Sequence, residues 1–169
     1  MKRLTKINIF ILSLLSSQFL FALPDDTSKP IEIQADEASF NQSTGEAIYQ
    51  GNVFIKQGSI EIQADFLKIS TDVNTRQFSQ LEATGTPAQF SQQLDDEGNL
   101  VISKGNSILY SSDSTKLEIK GEGYLSQLEN SITADHITYQ LNNGTFSAEK
   151  TDSGRVSMTL KPQATEAKK

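Results

Sequence analysis

Two stretches of this chain are the same six residues, Ile31-Glu32-Ile33-Gln34-Ala35-Asp36 and Ile60-Glu61-Ile62-Gln63-Ala64-Asp65, set 29 positions apart. A fainter copy, Ile132-Thr133-Ala134-Asp135, follows. Each run alternates apolar and polar residues, the period of a half-buried β-strand. A unit that recurs every ~20–50 residues is one supersecondary element used repeatedly. No stretch after residue 22 holds an apolar stripe at helical spacing for three turns, so a chain written this way points to an all-β architecture.

After each Ala-Asp the apolar parity switches. Ala35 is followed by Ala38 and Phe40, Ala64 by Leu67 and Ile69, and Ala134 by Ile137 and Tyr139. A straight strand would keep one parity throughout. An extra residue at the same place in three strands predicts a bulge or corner just after each Asp. Bends in register predict a bent, elongated sheet. A partner repeat lies between, carrying Gly51, Gly85 and Gly121, 34 and 36 positions apart. Glycine weakens a strand unless a bend or close approach needs it, so the return strands should bend opposite the Asp strands. Pro87, in the second of these runs, fits an edge or a bulge. Turn signals such as Ser43-Thr44-Gly45, Asp72-Val73-Asn74, Asp95 to Asn99 and Asn142-Asn143-Gly144 divide the runs. The expectation is an antiparallel meander of many short strands in a single domain.

The N-terminus reads as a targeting segment. Lys2, Arg3 and Lys6 precede an apolar run from Ile7 to Leu15, and Ala22 suits a cleavage site. Residues 1–22 are therefore expected to be a signal peptide, 23–29 a polar leader, 30–161 the β-domain and 162–169 a flexible tail. Removing 1–22 takes three basic and no acidic residues, leaving 12 Lys+Arg against 21 Asp+Glu. That balance argues against nucleic acid, which needs a basic surface.

The chemistry of a catalyst is missing. One His, His136, and no Cys leave no His/Cys metal site. No nucleophile elbow or phosphate loop occurs. Asp36, Asp65 and Asp135 stand singly, one per repeat, and are read as caps on N–H groups at the bends rather than as a calcium cluster. No cofactor or metal is expected. Two readings of the strand apolar residues stand: a filled core, or a partly lined groove able to take acyl chains. The first strand, from Ile31, and the last run, Val156 to Leu160, are expected to be unpaired edges open to strand addition.

The blocks Pro30 to Asp36, Gly45 to Tyr49, Gly51-Asn52-Val53 and Ile60 to Asp65 resemble the opening of the OstA-like family. The likeness continues through Gly85 to Ala88, Gly105 to Tyr110, Gly121 to Leu125 and Ile132 to Tyr139. Ser107 and Gly123 depart from the family's pattern. The resemblance implies an open, elongated antiparallel β-jelly roll in the periplasm, without catalysis. Its groove would hold the acyl chains of lipopolysaccharide. It would dock edge to edge with LptC-like inner-membrane and LptD-like outer-membrane jelly rolls, or head to tail with its own copies, bridging the periplasm for outer membrane assembly. The groove candidates are Ile31, Ile33, Phe40, Val53, Ile55, Ile62, Leu67, Phe90, Tyr110, Leu125 and Tyr139. Ile31, Ile33, Val156, Met158 and Leu160 are the docking candidates. Two alternatives use the same residues: a bitopic LptC-like partner that keeps its N-terminal anchor, and a structural or adhesive β-repeat module with a filled core.

Overall fold

The computed structural model describes residues 26–140, 143, 145–151 and 154–162. The expected signal peptide, the first part of the leader and the tail beyond residue 162 lie outside them. After a 3-10 turn at Asp26–Ser28 come ten strands. They are β1 (Ile31–Gln34), β2 (Glu37–Asn41), β3 (Glu46–Gln57), β4 (Ile60–Thr71) and β5 (Phe78–Gln93). Then follow β6 (Leu100–Ser111), β7 (Lys116–Gln127), β8 (Asn130–Gln140), β9 (Thr145–Glu149) and β10 (Ser157–Thr159). All form one sheet in the order β1-β3-β4-β5-β6-β7-β8-β10, with β2 beside β1 on β3 and β9 beside β10 on β8. Every pairing is antiparallel.

A crease crosses this sheet at the Asp positions. The first repeat breaks there outright, leaving β1 and β2 on either side of Ala35-Asp36. In β4 and β8 the strand continues but its inward parity switches, with Ala64 and Leu67 buried, then Ala134 and Ile137. The unpaired residues sit in the facing strands. Gly51 and Asn52 stand opposite Asp65, and Gly121 and Glu122 opposite Asp135. Both pairs adopt left-handed backbone, φ 74° and 47° in the first and 72° and 54° in the second. The sequence expectation of an extra residue inside the Asp strands is thereby corrected. Parity reports that a corner exists, but the ladder places the bulge where a Gly can take positive φ. Pro87 lies in a central strand, at its bulge: Gly85 to Pro87 stand opposite the single Asn106, and the Thr86–Pro87 peptide is cis.

The Asp side chains do less backbone capping than expected. Asp36 accepts from the Asn52 side-chain amide at 2.8 Å, and Asp65 from the Thr86 hydroxyl at 3.5 Å. Only Asp135 receives a main-chain N–H, from Thr151 at 2.6 Å, along with the Thr151 hydroxyl at 2.8 Å. These contacts tie Asp36 to β3, Asp65 to β5 and Asp135 to the segment that follows β9. His136 sits on the outer face as a strand-surface residue, 3.7 Å from Glu118.

The crease closes on small residues. Val53 pairs with Ala64, Ala88 with Gly105 and Gly123 with Ala134. A Cβ at Gly105 would lie 2.6 Å from Ile119 Cγ2, and one at Gly123 would lie 3.4 Å from the same atom. Ile119 belongs to the far side of the crease, so the sheet is folded with its apolar face inside. The segment expected to be only a polar leader also joins the fold. Asp26, 4 % exposed, accepts hydrogen bonds from Ser59 N, Ser59 Oγ and Gln92 Nε2 at 2.7, 2.9 and 3.0 Å. Burial pushes its carboxyl up, but these donors and Lys29 outweigh that and hold it below its ordinary value.

Candidate functional site: the creased apolar face

Cross-strand register sorts the residues of the apolar face into rows, whose end members Ala38, Phe40, Phe146 and Met158 are exposed. Beside the crease on one side runs Ala38, Tyr49, Leu67, Ala83, Ile108, Ile119, Ile137 and Ala148. Its centre is fully closed, Leu67, Ile119 and Ile137 being 0 % exposed. One step farther out lies Phe40, Ala47, Ile69, Leu81, Tyr110, Leu117, Tyr139 and Phe146. On the other side of the crease, beyond the small residues, lies Ile33, Ile55, Ile62, Phe90, Ser103, Leu125, Ile132 and Met158. The last two rows are the flanks of a fold whose hinge is the crease.

The sequence-derived candidates distribute over this frame. Ile33, Ile55, Ile62, Phe90 and Leu125 fall in one flank row, and Phe40, Tyr110 and Tyr139 in the other. Phe78 stacks on Tyr110, ring centroids 5.9 Å apart, and steadies it. Val53 and Leu67 lie in the closed crease, buried at 2 % and 0 %. Ile31 stands apart at the rim, opposite Gln57, and is exposed. Ile55, Ile62 and Leu125 are buried, whereas Ile33, Phe90, Tyr110 and Tyr139 are half-buried. Of the docking candidates, Ile31, Val156, Met158 and Leu160 are exposed. Ile33 and Met158 occupy opposite ends of the same row.

Two features escaped the sequence reading. Ile132 and Phe146 join Leu125, Tyr139, Met158 and Leu160 around a cavity of about 200 Å³, where the two flanks face each other at the β8–β9–β10 end. Strand β6 is a fourth copy of the repeat: Val101, Ser103, Gly105 and Asn106 take the places of Ile60, Ile62, Ala64 and Asp65. Asn106 even lies under Gly121, as Asp36 lies under Gly51. The 29-residue step from Asn106 to Asp135, equal to that from Asp36 to Asp65, was the available signal.

The outer face is polar. Glu118 accepts from Lys116 at 2.6 Å and from Lys120 at 3.0 Å, and these cations lower its carboxyl to about 2. Among the described residues no group of three or more His, Cys, Asp or Glu is placed to hold a metal.

Residues 32–145 match the family model described as "LptA/(LptD N-terminal domain) LPS transport protein". The chain belongs to this LptA/LptD N-terminal family. It is 33 % identical over 158 residues to the lipopolysaccharide export system protein LptA of Haemophilus influenzae, covering 93 % of this chain and 91 % of that one. It is 29 % identical over 142 residues to LptA of Escherichia coli K12, covering 84 % and 76 %. The crystal structure of LptH, the LptA-homologous periplasmic component of the lipopolysaccharide transport device of Pseudomonas aeruginosa, aligns with a TM-score of 0.71. That alignment covers 82 % of this chain and all of LptH at 23 % identity, and it establishes the shared fold. The creased sheet is thus the β-jelly roll of the LptA/LptD N-terminal family, and the matched span contains both identical hexapeptides except Ile31.

Proposed function

We propose that the protein carries lipopolysaccharide through the periplasm, shielding the acyl chains between the two flanks of the creased sheet. The observation that carries this is the arrangement of the apolar rows. One row is sealed at the crease, and two others face each other and open where the sheet ends. Each buried CH₂ is worth about 0.8 kcal/mol, so several acyl chains need a long apolar face rather than a small pocket. A row running across eight strands supplies that length. The names of the relatives point to the same cargo. No chemical step is asked of the protein; the net negative charge suits a carrier that grips tails and leaves the phosphorylated headgroup in water.

The edges give the carrier its partners. On the described residues β1 pairs only with β3 and β10 only with β8. Edge strands of this kind accept another strand. With Ile33 at one end of a row and Met158 at the other, head-to-tail docking continues that row from one jelly roll into the next. Docking partners of this design are LptC-like and LptD-like jelly rolls and further copies of the chain. Lipid enters at the β1 end and leaves at the β10 end. Residues 1–22 are the export signal and 30–161 the transport domain.

A photocrosslinking amino acid at Ile33, Phe90 or Tyr110 should trap lipopolysaccharide, while the same group at Gln63, exposed on the outer face, should not. Equal labelling from Gln63 and from the flank positions refutes the assignment.

A further inference from the structure

The flank row that starts at Ile33 and ends at Met158 has one polar member. Ser103 sits in β6, with Phe90 opposite it on β5 and Leu125 on β7. In the two identical repeats the corresponding place belongs to Ile33 and Ile62. Ser103 is 0 % exposed, and its Oγ has no hydrogen-bond partner. A buried hydroxyl without a partner is destabilising, and replacing Ile by Ser also gives up packing. The close approaches of Ile119 fall at Gly105 and Gly123.

We propose that Ser103 is a hydrogen-bonding foothold inside the apolar face, engaging an oxygen of a bound acyl lipid. Acyl chains are apolar along most of their length but begin at an ester or amide and can carry hydroxyls. A lone hydroxyl midway along an apolar row can donate to such a carbonyl or exchange a hydrogen bond with a chain hydroxyl. An unsubstituted tail leaves Ser103 unpaired. The row thus grips length through its Ile, Leu and Phe members and sets depth through Ser103. This inference rests on the acyl-carrier reading above and adds a specificity-determining residue to it.

The test compares the full exported chain with its Ser103→Ala variant. Both are titrated with lipopolysaccharide, with 3-hydroxytetradecanoate and with tetradecanoate, and both are melted without lipid. Losing one net hydrogen bond should weaken lipopolysaccharide and the hydroxylated acid by about five- to tenfold. Tetradecanoate affinity should not change, and the lipid-free variant should melt at the same or a higher temperature. Unchanged affinity for the hydroxylated acid and for lipopolysaccharide makes Ser103 a spacing residue and overturns this inference alone. A lower melting temperature with all ligands weakened alike assigns its hydroxyl to the fold and overturns it too. Wild-type protein that binds none of the three overturns the carrier reading and this one with it.

Discussion

Gly105→Ala is the sharpest probe of how the crease is held. The added methyl would lie 2.6 Å from Ile119 Cγ2, 3.1 Å from the Lys120 carbonyl oxygen and 3.4 Å from that of Gly121. Carbon atoms rest at about 3.5–4.0 Å, so the first contact is short by roughly 1 Å. Ile119 is 0 % exposed and has no solvent to rotate into. Overpacking of this kind costs about 1–3 kcal/mol. Ile119→Ala alone removes buried methyls and should cost about 2–5 kcal/mol. In the double variant the new methyl at 105 enters the space that Ile119 vacates. The pair should therefore be less destabilised than the sum of the singles, by about 1–2 kcal/mol. Urea unfolding of the four proteins, analysed at a common m value, reads this coupling. Independent sites add within about 0.5 kcal/mol. Additivity within that margin would refute closure of the crease by Ile119 over Gly105.

Two further outcomes follow from the edges and the outer face. Proline at Ile33 or Ser157 should remove head-to-tail pairing in size-exclusion chromatography yet leave a folded monomer by circular dichroism, at a cost of about 1 kcal/mol for one ladder bond; global unfolding would place these strands in the interior. Glu118, with its carboxyl lowered from 4.5 to about 2, is protonated less readily when folded than when unfolded. Its stabilisation is complete above pH 4.5 and drains away as the pH falls toward 2. Urea midpoints of wild type should drop more across that window than those of Glu118→Gln, and parallel curves would remove Glu118 from the account of acid stability.

The strands and the crease were legible because the repeat is written twice without change. Alternation announces a strand with one apolar face, and the parity switch after Ala35, Ala64 and Ala134 announces the corner. The glycines Gly51, Gly85 and Gly121 marked bends in the return strands while the parity switch pointed to the Asp strands, so the sequence did not decide which of the two carries the unpaired residues. That depends on where the backbone can turn left-handed, and Gly51-Asn52 and Gly121-Glu122 reveal it only through φ. The fourth repeat was hidden because Ser103, Gly105 and Asn106 keep the parity of Ile, Ala and Asp but not their chemistry. Asp26 was hidden for another reason: it lies in a short polar segment with no period, and its burial comes from Ser59 and Gln92, 33 and 66 positions away.

The division of apolar residues into core and lining is a matter of distance from the crease, and no local pattern records that distance. Ile62 and Leu67 lie on one strand, five residues apart, on either side of the parity switch after Ala64. Leu67 faces a row whose opposite wall is brought close by the fold, so its neighbours close over it. Ile62 lies beyond the small residues in the flank row and is buried there, whereas the far end of that row, at Met158, is exposed and lines the cavity at β8–β10. Small side chains at Ala64, Ala88, Gly105, Gly123 and Ala134 let the two walls meet at the crease, and that meeting fixes the angle at which they part. A sheet hinged on small residues keeps a closed core and an accessible apolar flank in the same strands. Enlarging the hinge residues should therefore disturb stability and lipid access together, whereas changing a flank residue such as Phe90 should alter access with the crease intact.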